Sequence, residues 1–391
     1  MFCSGQDGRG PRETPKLMRT ADLSVVMANR NHARILPRAL DAVLSQSLRP
    51  REMIVLDDAS TDDSLRVLER YAARYDCIHV IRNECHRGVT ASYNQGFSLA
   101  TSTYILPGAA DDYILPGFVA KAMEQFAWHP EAGVCVAHGS CTVGDAGPLI
   151  VNDPGWCEQA RYFSPEEVCR RVWHTLPVSA IVVRADAIRA AGGYRAELAW
   201  YSDWFAFLVV AFRCGIVHIP ETLGVHVLNP GSYATNARTG PENVRILGAL
   251  LDLLMSPEYA DVAPYFRRNG AACHFGPDLL RAAALRADRE EASVRSLLAG
   301  FAPEVYKTLA NTDESAAVRE LAAVFLQGPW REVIARRADL EAENRRLVEE
   351  IQLTRLRVAP PGMFGKVQWA GRLLRRRLRK AVGLHPAGRF R

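Results

Sequence analysis

Residues 104–117 read Y-I-L-P-G-A-A-D-D-Y-I-L-P-G, a short apolar run that opens into two adjacent aspartates, Asp111 and Asp112. The run predicts a buried strand, with the aspartates just beyond it. Adjacent carboxylates at the mouth of a sheet repel each other unless a cation or hydrogen-bond donors offset the charge, so the pair suits a hard divalent metal ion and its phosphates. A helix cap or a solvated turn uses the same residues. What lies upstream decides between these uses.

Upstream, strand-like and helix-like segments alternate. Residues 23–28 (L-S-V-V-M-A) predict a buried strand, followed by a polar turn at 29–31 and a helix through Leu36, Leu40, Val43 and Leu44. Residues 52–56 predict a second strand that runs into Asp57-Asp58, and Ser60 is placed to cap the next helix. A third strand is expected over 77–82, a helix over 91–100, and then the strand that leads to Asp111. Such alternation implies an α/β fold with a mostly parallel, Rossmann-like sheet covered on both faces, whose ligands sit beyond the carboxyl ends of the strands. Both aspartate pairs fall at those ends. Further on come strand-like runs at 133–138, 179–184 and 216–220, a helix over 203–214, and an almost wholly helical pattern over 241–327.

The chain has 391 residues, 48% hydrophobic and 23% charged, enough for one large domain with accessories. No uncharged apolar run of about 18 residues occurs, and residues 1–20 are polar, so the chain is expected in the cytoplasm. Nine cysteines without a C-x-x-C pair suit reduced thiols better than a disulfide framework or a zinc site. Nine Lys or Arg and no acidic residue fall in 359–391, and subtracting them from the net charge of +5 leaves the rest of the chain at −4. A basic segment on a mildly acidic body points to an anionic partner for that segment alone.

Before it, Val333, Arg337, Leu340, Asn344, Leu347, Ile351, Thr354 and Val358 follow alternating spacings of four and three. This is a coiled-coil seam with an inward Asn, which would make the chain a homo-oligomer; a single solvated helix packed on the body is the other reading. After the break at Pro360-Pro361-Gly362, Val367, Ala370, Leu374, Leu378 and Val382 share one helix face among many arginines. A basic amphipathic helix suits an anionic membrane surface, with Phe364 and Trp369 as interfacial anchors. Nucleic acid is disfavoured, since no binding-fold motif or stacking aromatic set accompanies the charge. The domains expected are a flexible N-terminus (1–21), a catalytic or binding domain (22–235), a helical appendage (236–330), the coiled coil (331–358) and the basic amphipathic tail (359–391).

Four pieces occur in order: S-V-V-M-A-N-R-N at 24–31, I-V-L-D-D-A-S-T-D at 54–62, the stretch from Asn83 to Asn94 around Gly88, and A-A-D-D at 109–112. In this arrangement residues 22–235 resemble the family 2 inverting glycosyltransferases with the GT-A fold. The resemblance implies a nucleotide site formed by Ala28, Asn29, Asn31, Asp57, Asp58, Arg87, Asn94 and Asp111, with Asp58 on the base. A carboxylate can accept the ring N–H of uracil or guanine, which discriminates among bases. It also implies Mg²⁺ or Mn²⁺ held by Asp111, Asp112 and His226. The family's D-x-D would place aspartates at 109 and 111; here position 109 is Ala. Ala28 and Arg30 likewise depart from the Pro and Tyr common in the first strand and turn.

G-G-Y-R-A-E at 192–197 and Y-S-D-W at 201–204 resemble the family's acceptor-side G-G-[FY] segment and its E-D-W element, with Ser202 replacing the Glu. Asp203 keeps the position of the catalytic base, which takes the proton of the acceptor hydroxyl during inversion. Trp204 and Trp173 are expected at the acceptor. Neither G-x-G-x-x-G nor G-x-x-x-x-G-K-[ST] occurs, which argues against a dehydrogenase or a P-loop enzyme. The resemblance therefore implies transfer of a sugar from a UDP- or dTDP-linked donor to a glycan or lipid-linked acceptor, at the inner face of the membrane. A GT-A-like scaffold that binds without catalysis is the alternative, motivated by Ala109 and Ser202.

Overall fold

The computed structural model describes residues 20–143, 149–152, 154–171, 176, 178–228, 241–269 and 272, 275, 278, 279, 282 and 285. Trp173, the coiled coil expected at 331–358 and the amphipathic tail expected at 359–391 lie outside the described residues.

The chain begins with the alternation that its periodicity predicts: β1 (Thr20–Asn29), α1 (Leu36–Leu44), β2 (Arg49–Asp57), α2 (Ser64–Ala72), β3 (Ile78–Arg82), α3 (Val89–Leu99) and β4 (Tyr104–Ala109). Next come β5 (Tyr113–Ile114), α4 (Phe118–Trp128), β6 (Val134–Val143), β7 (Ile150–Asn152), β8 (Arg161–Phe163), α5 (Pro165–Arg171), β9 (Ile181–Arg184), α6 (Ala185–Ala190), α7 (Ser202–Cys214) and β10 (Ile216–Leu228). Two further helices follow, α8 (Pro241–Met255) and α9 (Ala263–Asn269).

The strands form one sheet of order β3-β2-β1-β4-β9-β6-β10-β5, with β7 beside β6 and β8 beside β10. β1 runs parallel to both β2 and β4, and β2 to β3. β9 is antiparallel to β4 and β6, while β6 and β10 are parallel. The sheet is therefore mostly parallel in its first half and mixed in its second. Register aligns the strand ends: Asn29 sits beside Asp57, and Ala28 beside Ala109. Both aspartate pairs leave from one edge.

Two hydrophobic clusters sandwich this sheet. Leu23, Val25 and Met27 of β1 pack on the α1 side with Leu36 and Leu40, whereas Val26 packs on the other side with Phe97 of α3. A strand buried on both faces needs a near-continuous apolar run rather than strict alternation, and 23–28 has one. α3 lies so close to β1 that a Cβ on Gly96 would stand 2.2 Å from Val26 Cγ1. α7 is apolar all round between its ends, as a helix enclosed by other elements must be; Phe205 stacks on Phe266 of α9 and Phe212 meets the same ring edge-on. Ile246, Leu250 and Leu254 of α8 join the same cluster, so this helix packs into the core beside α7.

Three local readings differ from the structure. α2 begins at Ser64, whose N–H is met by Asp62 Oδ1 (2.9 Å), while the Ser60 hydroxyl binds Asp57 instead of capping the helix. α3 starts two residues early, at Val89. β10 continues past Pro220 to Leu228, with its register against β6 shifting between Ile219 and Gly224. A bulge is where a strand tolerates proline. His226 consequently lies on β10 itself.

Candidate active site

The edge where β1, β2 and β4 end is knitted together by buried polar side chains. Asn29 donates through Nδ2 to Asp57 Oδ1 (2.9 Å) and Ser60 Oγ (3.3 Å). Ser60 in turn donates its backbone N–H to Asp57 Oδ2 (3.1 Å) and its hydroxyl to Oδ1 (2.6 Å). Asp57 thus fastens the end of β2 to that of β1. Asn31, in the left-handed region at φ 57°, accepts from Thr61 N (2.7 Å) and gives its own N–H to Ser60 Oγ.

Asp58 points the other way. Its Oδ1 accepts from Asn83 Nδ2 (2.8 Å) and Arg87 N (2.8 Å), and its Oδ2 from Gly88 N (2.9 Å) and His86 Nδ1 (2.7 Å). Burial raises the carboxyl's pKa, but the bonds from Arg87, Asn83, Gly88 and His86 outweigh it and leave the value below the ordinary range. The Arg87 guanidinium is directed to Gln95 Oε1 (3.0 Å) and is exposed.

Beside this edge lies a cleft of about 670 Å³ whose lining includes Asp111 and Asp112, Tyr93, Asp203, Trp200 and His226. Residues from the end of β4, the middle of α3, the start of α7 and the end of β10 meet there. Gln46, two residues past the end of α1, fixes the backbone that follows the aspartates, donating to Leu115 O (3.0 Å) and accepting from Gly117 N (3.1 Å). Arg38 donates to the Asp111 carbonyl (2.8 Å) and lies over the Tyr113 ring (4.7 Å).

The two aspartates have different surroundings. Asp112 accepts from Val227 N (2.9 Å) and from His226 Nδ1 (2.9 Å), which assigns the proton of that ring to Nδ1 and turns Nε2 away from the carboxylate. Asp112 therefore orients His226. Asp111 has no ion pair among the described residues; burial and the neighbouring Asp112 push its pKa up, opposed by His32 and His226. All three of the expected metal set, Asp111, Asp112 and His226, line the cleft, with Asp112 engaged by His226 and by the Val227 backbone. Among the described residues no three His, Cys, Asp or Glu side chains converge into a cage. A half-buried carboxylate whose charge is only partly offset, with an oriented imidazole on the same cleft, nonetheless fits a Mg²⁺ or Mn²⁺ ion, since such ions take one or two carboxylates and draw their other ligands from phosphates and water.

Asp203 stands in the first turn of α7, where the helix dipole favours a carboxylate. It accepts from the next backbone N–H, Trp204 N (2.6 Å). Ser202 holds the preceding turn, its hydroxyl meeting the carbonyls of Arg195 (2.9 Å) and Ala199. That turn is strained: Ala199 has φ 45° and ψ −115°, a region costly to a residue with a Cβ.

Asn94, expected in the nucleotide pocket, has its side-chain amide on the backbone of Tyr194. Its Nδ2 donates to Tyr194 O (2.7 Å) and its Oδ1 accepts from Tyr194 N (2.8 Å). Gly193, at φ 64°, is required there because a Cβ would stand 2.5 Å from Asn94 Oδ1. Trp204 borders the cleft but is 6% exposed and packs on Phe275 (4.9 Å) and Phe266 (5.7 Å), so most of its surface belongs to the core.

Tyr93 was not foreseen. Its hydroxyl donates to Gly108 O (2.8 Å), one residue before Ala109, and its ring lies against Tyr194 (5.1 Å). Burial and the negative charges of Asp111, Asp203 and Asp112 hold the phenol neutral, its pKa far above the ordinary value. One hydroxyl thus feels the carboxylates of both sides of the cleft. The available sequence signal was the four-residue spacing of Tyr93 and Phe97 on α3.

A family model described as glycosyl transferase family 2 matches residues 24–165. The protein EpsE of Bacillus subtilis (strain 168), provisionally named a glycosyltransferase, is 32% identical over 199 residues, which cover 49% of this chain and 68% of EpsE. A chondroitin synthase of Escherichia coli is 26% identical over 144 residues, 37% of this chain and only 21% of the synthase. Among solved structures, S. aureus TarS 1-349 in complex with UDP-GlcNAc aligns over 73% of this chain and 91% of its own with a TM-score of 0.53 and 16% identity, a likeness of fold.

Proposed function

This chain belongs to glycosyl transferase family 2, and on that premise we propose that it is an inverting enzyme that moves a sugar from a UDP- or dTDP-linked donor to a hydroxyl of a glycan or lipid-linked acceptor, in surface polysaccharide or glycoconjugate synthesis. The observation that carries the proposal is the convergence of Asp111, at the end of β4, and Asp203, at the start of α7, on one cleft. Inversion by single displacement needs a carboxylate near the acceptor hydroxyl and charge compensation near the leaving diphosphate, on opposite faces of the sugar. Asp203 takes the acceptor proton. Ser202 and the Asn94–Tyr194 pair hold the turn from which Asp203 projects. Asp111 and His226 would hold a Mg²⁺ or Mn²⁺ ion, which when bound offsets the charge that builds on the diphosphate. Asp58, at the same sheet edge, receives the base through its carboxylate.

The alternative, a scaffold that binds nucleotide sugar without turnover, has Ala109 behind it. A panel of UDP-, dTDP- and GDP-sugars with hydroxyl acceptors, run with Mg²⁺, Mn²⁺ or EDTA, separates the two. The expected outcome is metal-dependent release of UDP or dTDP. Saturable nucleotide binding without release from any donor would favour the scaffold.

The basic run at 359–391 is proposed to hold the chain at an anionic membrane surface, and the heptad pattern at 331–358 to pair it with a second copy. Among the described residues no helix is long and apolar enough to cross a membrane. Removing 359–391 is expected to abolish co-sedimentation with phosphatidylserine vesicles; retained binding would refute the surface role.

A further inference from the structure

Asp58 is 3% exposed, and each of its carboxylate oxygens already accepts two hydrogen bonds. A carboxylate offers about four lone-pair positions, so this one is saturated. A nucleobase ring N–H can reach it only if one of the present donors leaves. The four donors are not equally able to do so.

Arg87 N and Gly88 N are backbone groups of the turn that opens α3, and Gly88 sits at φ 88° as its cap. Withdrawing either means remaking that turn. Asn83 is buried, its backbone N–H is bonded to Asp57 O (2.9 Å), and its amide also reaches Ser92 Oγ (3.4 Å). Moving it would strand buried polar groups, a cost of roughly 1–3 kcal/mol for each. His86 differs from all three. Its side chain is 50% exposed where that of Asp58 is 4% exposed. Rotation about its side-chain torsions carries Nδ1 into water, which replaces the lost bond.

We propose that His86 governs access to the base site: its Nδ1–H occupies the Asp58 Oδ2 position that the ring N–H of a nucleobase needs, and a nucleotide binds by displacing it. The inference rests on the reading of Asp58 as the base acceptor. It makes His86 a specificity-determining residue, because only a base that brings its own ring N–H, as uracil, thymine and guanine do, restores the bond that His86 gives up. Cytosine and adenine present an acceptor at the corresponding ring position and leave Oδ2 buried without a donor.

Calorimetric titration of UDP into the full chain tests this with His86→Ala, which removes the competing donor, and His86→Phe, which keeps a ring but has no N–H. Both variants are expected to bind UDP about 2- to 13-fold more tightly than the unaltered chain, the factor that corresponds to one hydrogen bond of net 0.5–1.5 kcal/mol. Binding by the variants alone, where the unaltered chain shows none, supports the proposal equally. Unchanged or weaker binding in His86→Ala would overturn it while leaving the glycosyltransferase reading intact. A gain confined to His86→Ala would overturn it too, since bulk rather than the N–H would then stand in the way. If UDP, dTDP and GDP bind to none of the three proteins, the nucleotide reading falls and this proposal with it.

Discussion

Asp203→Asn is expected to lower the transfer rate by about 10²- to 10⁴-fold, the range that a positioned general base contributes, with donor affinity within about twofold of the unaltered chain. The substitution is nearly isosteric and keeps an acceptor oxygen for Trp204 N–H, so the first turn of α7 should persist. Ser202 would go on holding the carbonyls of Arg195 and Ala199, and Asn94 the backbone of Tyr194. What the amide cannot do is take a proton from the acceptor hydroxyl. A fall in kcat without a rise in the donor KM is the signature to look for. Loss of less than tenfold would mean that Asp203 is only a helix-terminal carboxylate stabilised by the dipole.

Asp111→Asn is expected to abolish transfer and, at neutral pH, to raise thermal stability by about 2–4 °C, the shift that corresponds to about 1 kcal/mol relieved at a functional site. The sign follows from the direction of the Asp111 pKa. Burial and Asp112 raise it above the ordinary 3.8, so the folded chain holds that proton more tightly than the unfolded chain does. Stability therefore falls as pH rises from about the ordinary carboxylate value to the raised one, and stays lower above it. An amide carries no charge to bury and escapes this penalty. The gain over the unaltered chain should vanish in acid, where Asp111 is protonated in both states. Adding UDP with Mg²⁺ should raise the melting temperature of the unaltered chain but not that of the variant. A variant less stable than its parent at pH 7 would show that Asp111 is satisfied inside the fold and is not held ready for a ligand.

The positions of both aspartates relative to the sheet were legible in the sequence because strand identity is a local property. The runs at 23–28, 52–56 and 104–106 are apolar enough for burial on both faces, and a polar residue follows each within five positions (Asn29, Asp57, Asp111); parallel pairing then aligns those ends at one edge. The same holds for α7, whose apolar sequence on all sides could only be enclosed. Less was legible where an irregularity sits inside a strand. Pro220 suggested that the strand starting at Ile216 stops, yet a register shift absorbs it and carries His226 into β10 beside Asp112.

Individual roles at the site were the least readable, since a polar side chain has the same letter whichever partner it finds. Asn94 and Tyr194 are far apart in the chain, and only the packing of α3 against the turn before α7 brings the Asn94 amide to the Tyr194 backbone. Asp57 and Asp58 are neighbours with opposite directions, one joining β1 to β2 and the other gathering the turn before α3. By itself the sequence determined the alternating α/β plan, the edge at which carboxylates collect and the family, because apolar periodicity and motif order are local and survive any change of partner. The tertiary structure alone decided which carboxylates are already satisfied and which still face the cleft, because hydrogen-bond saturation and burial are set by residues distant in the chain.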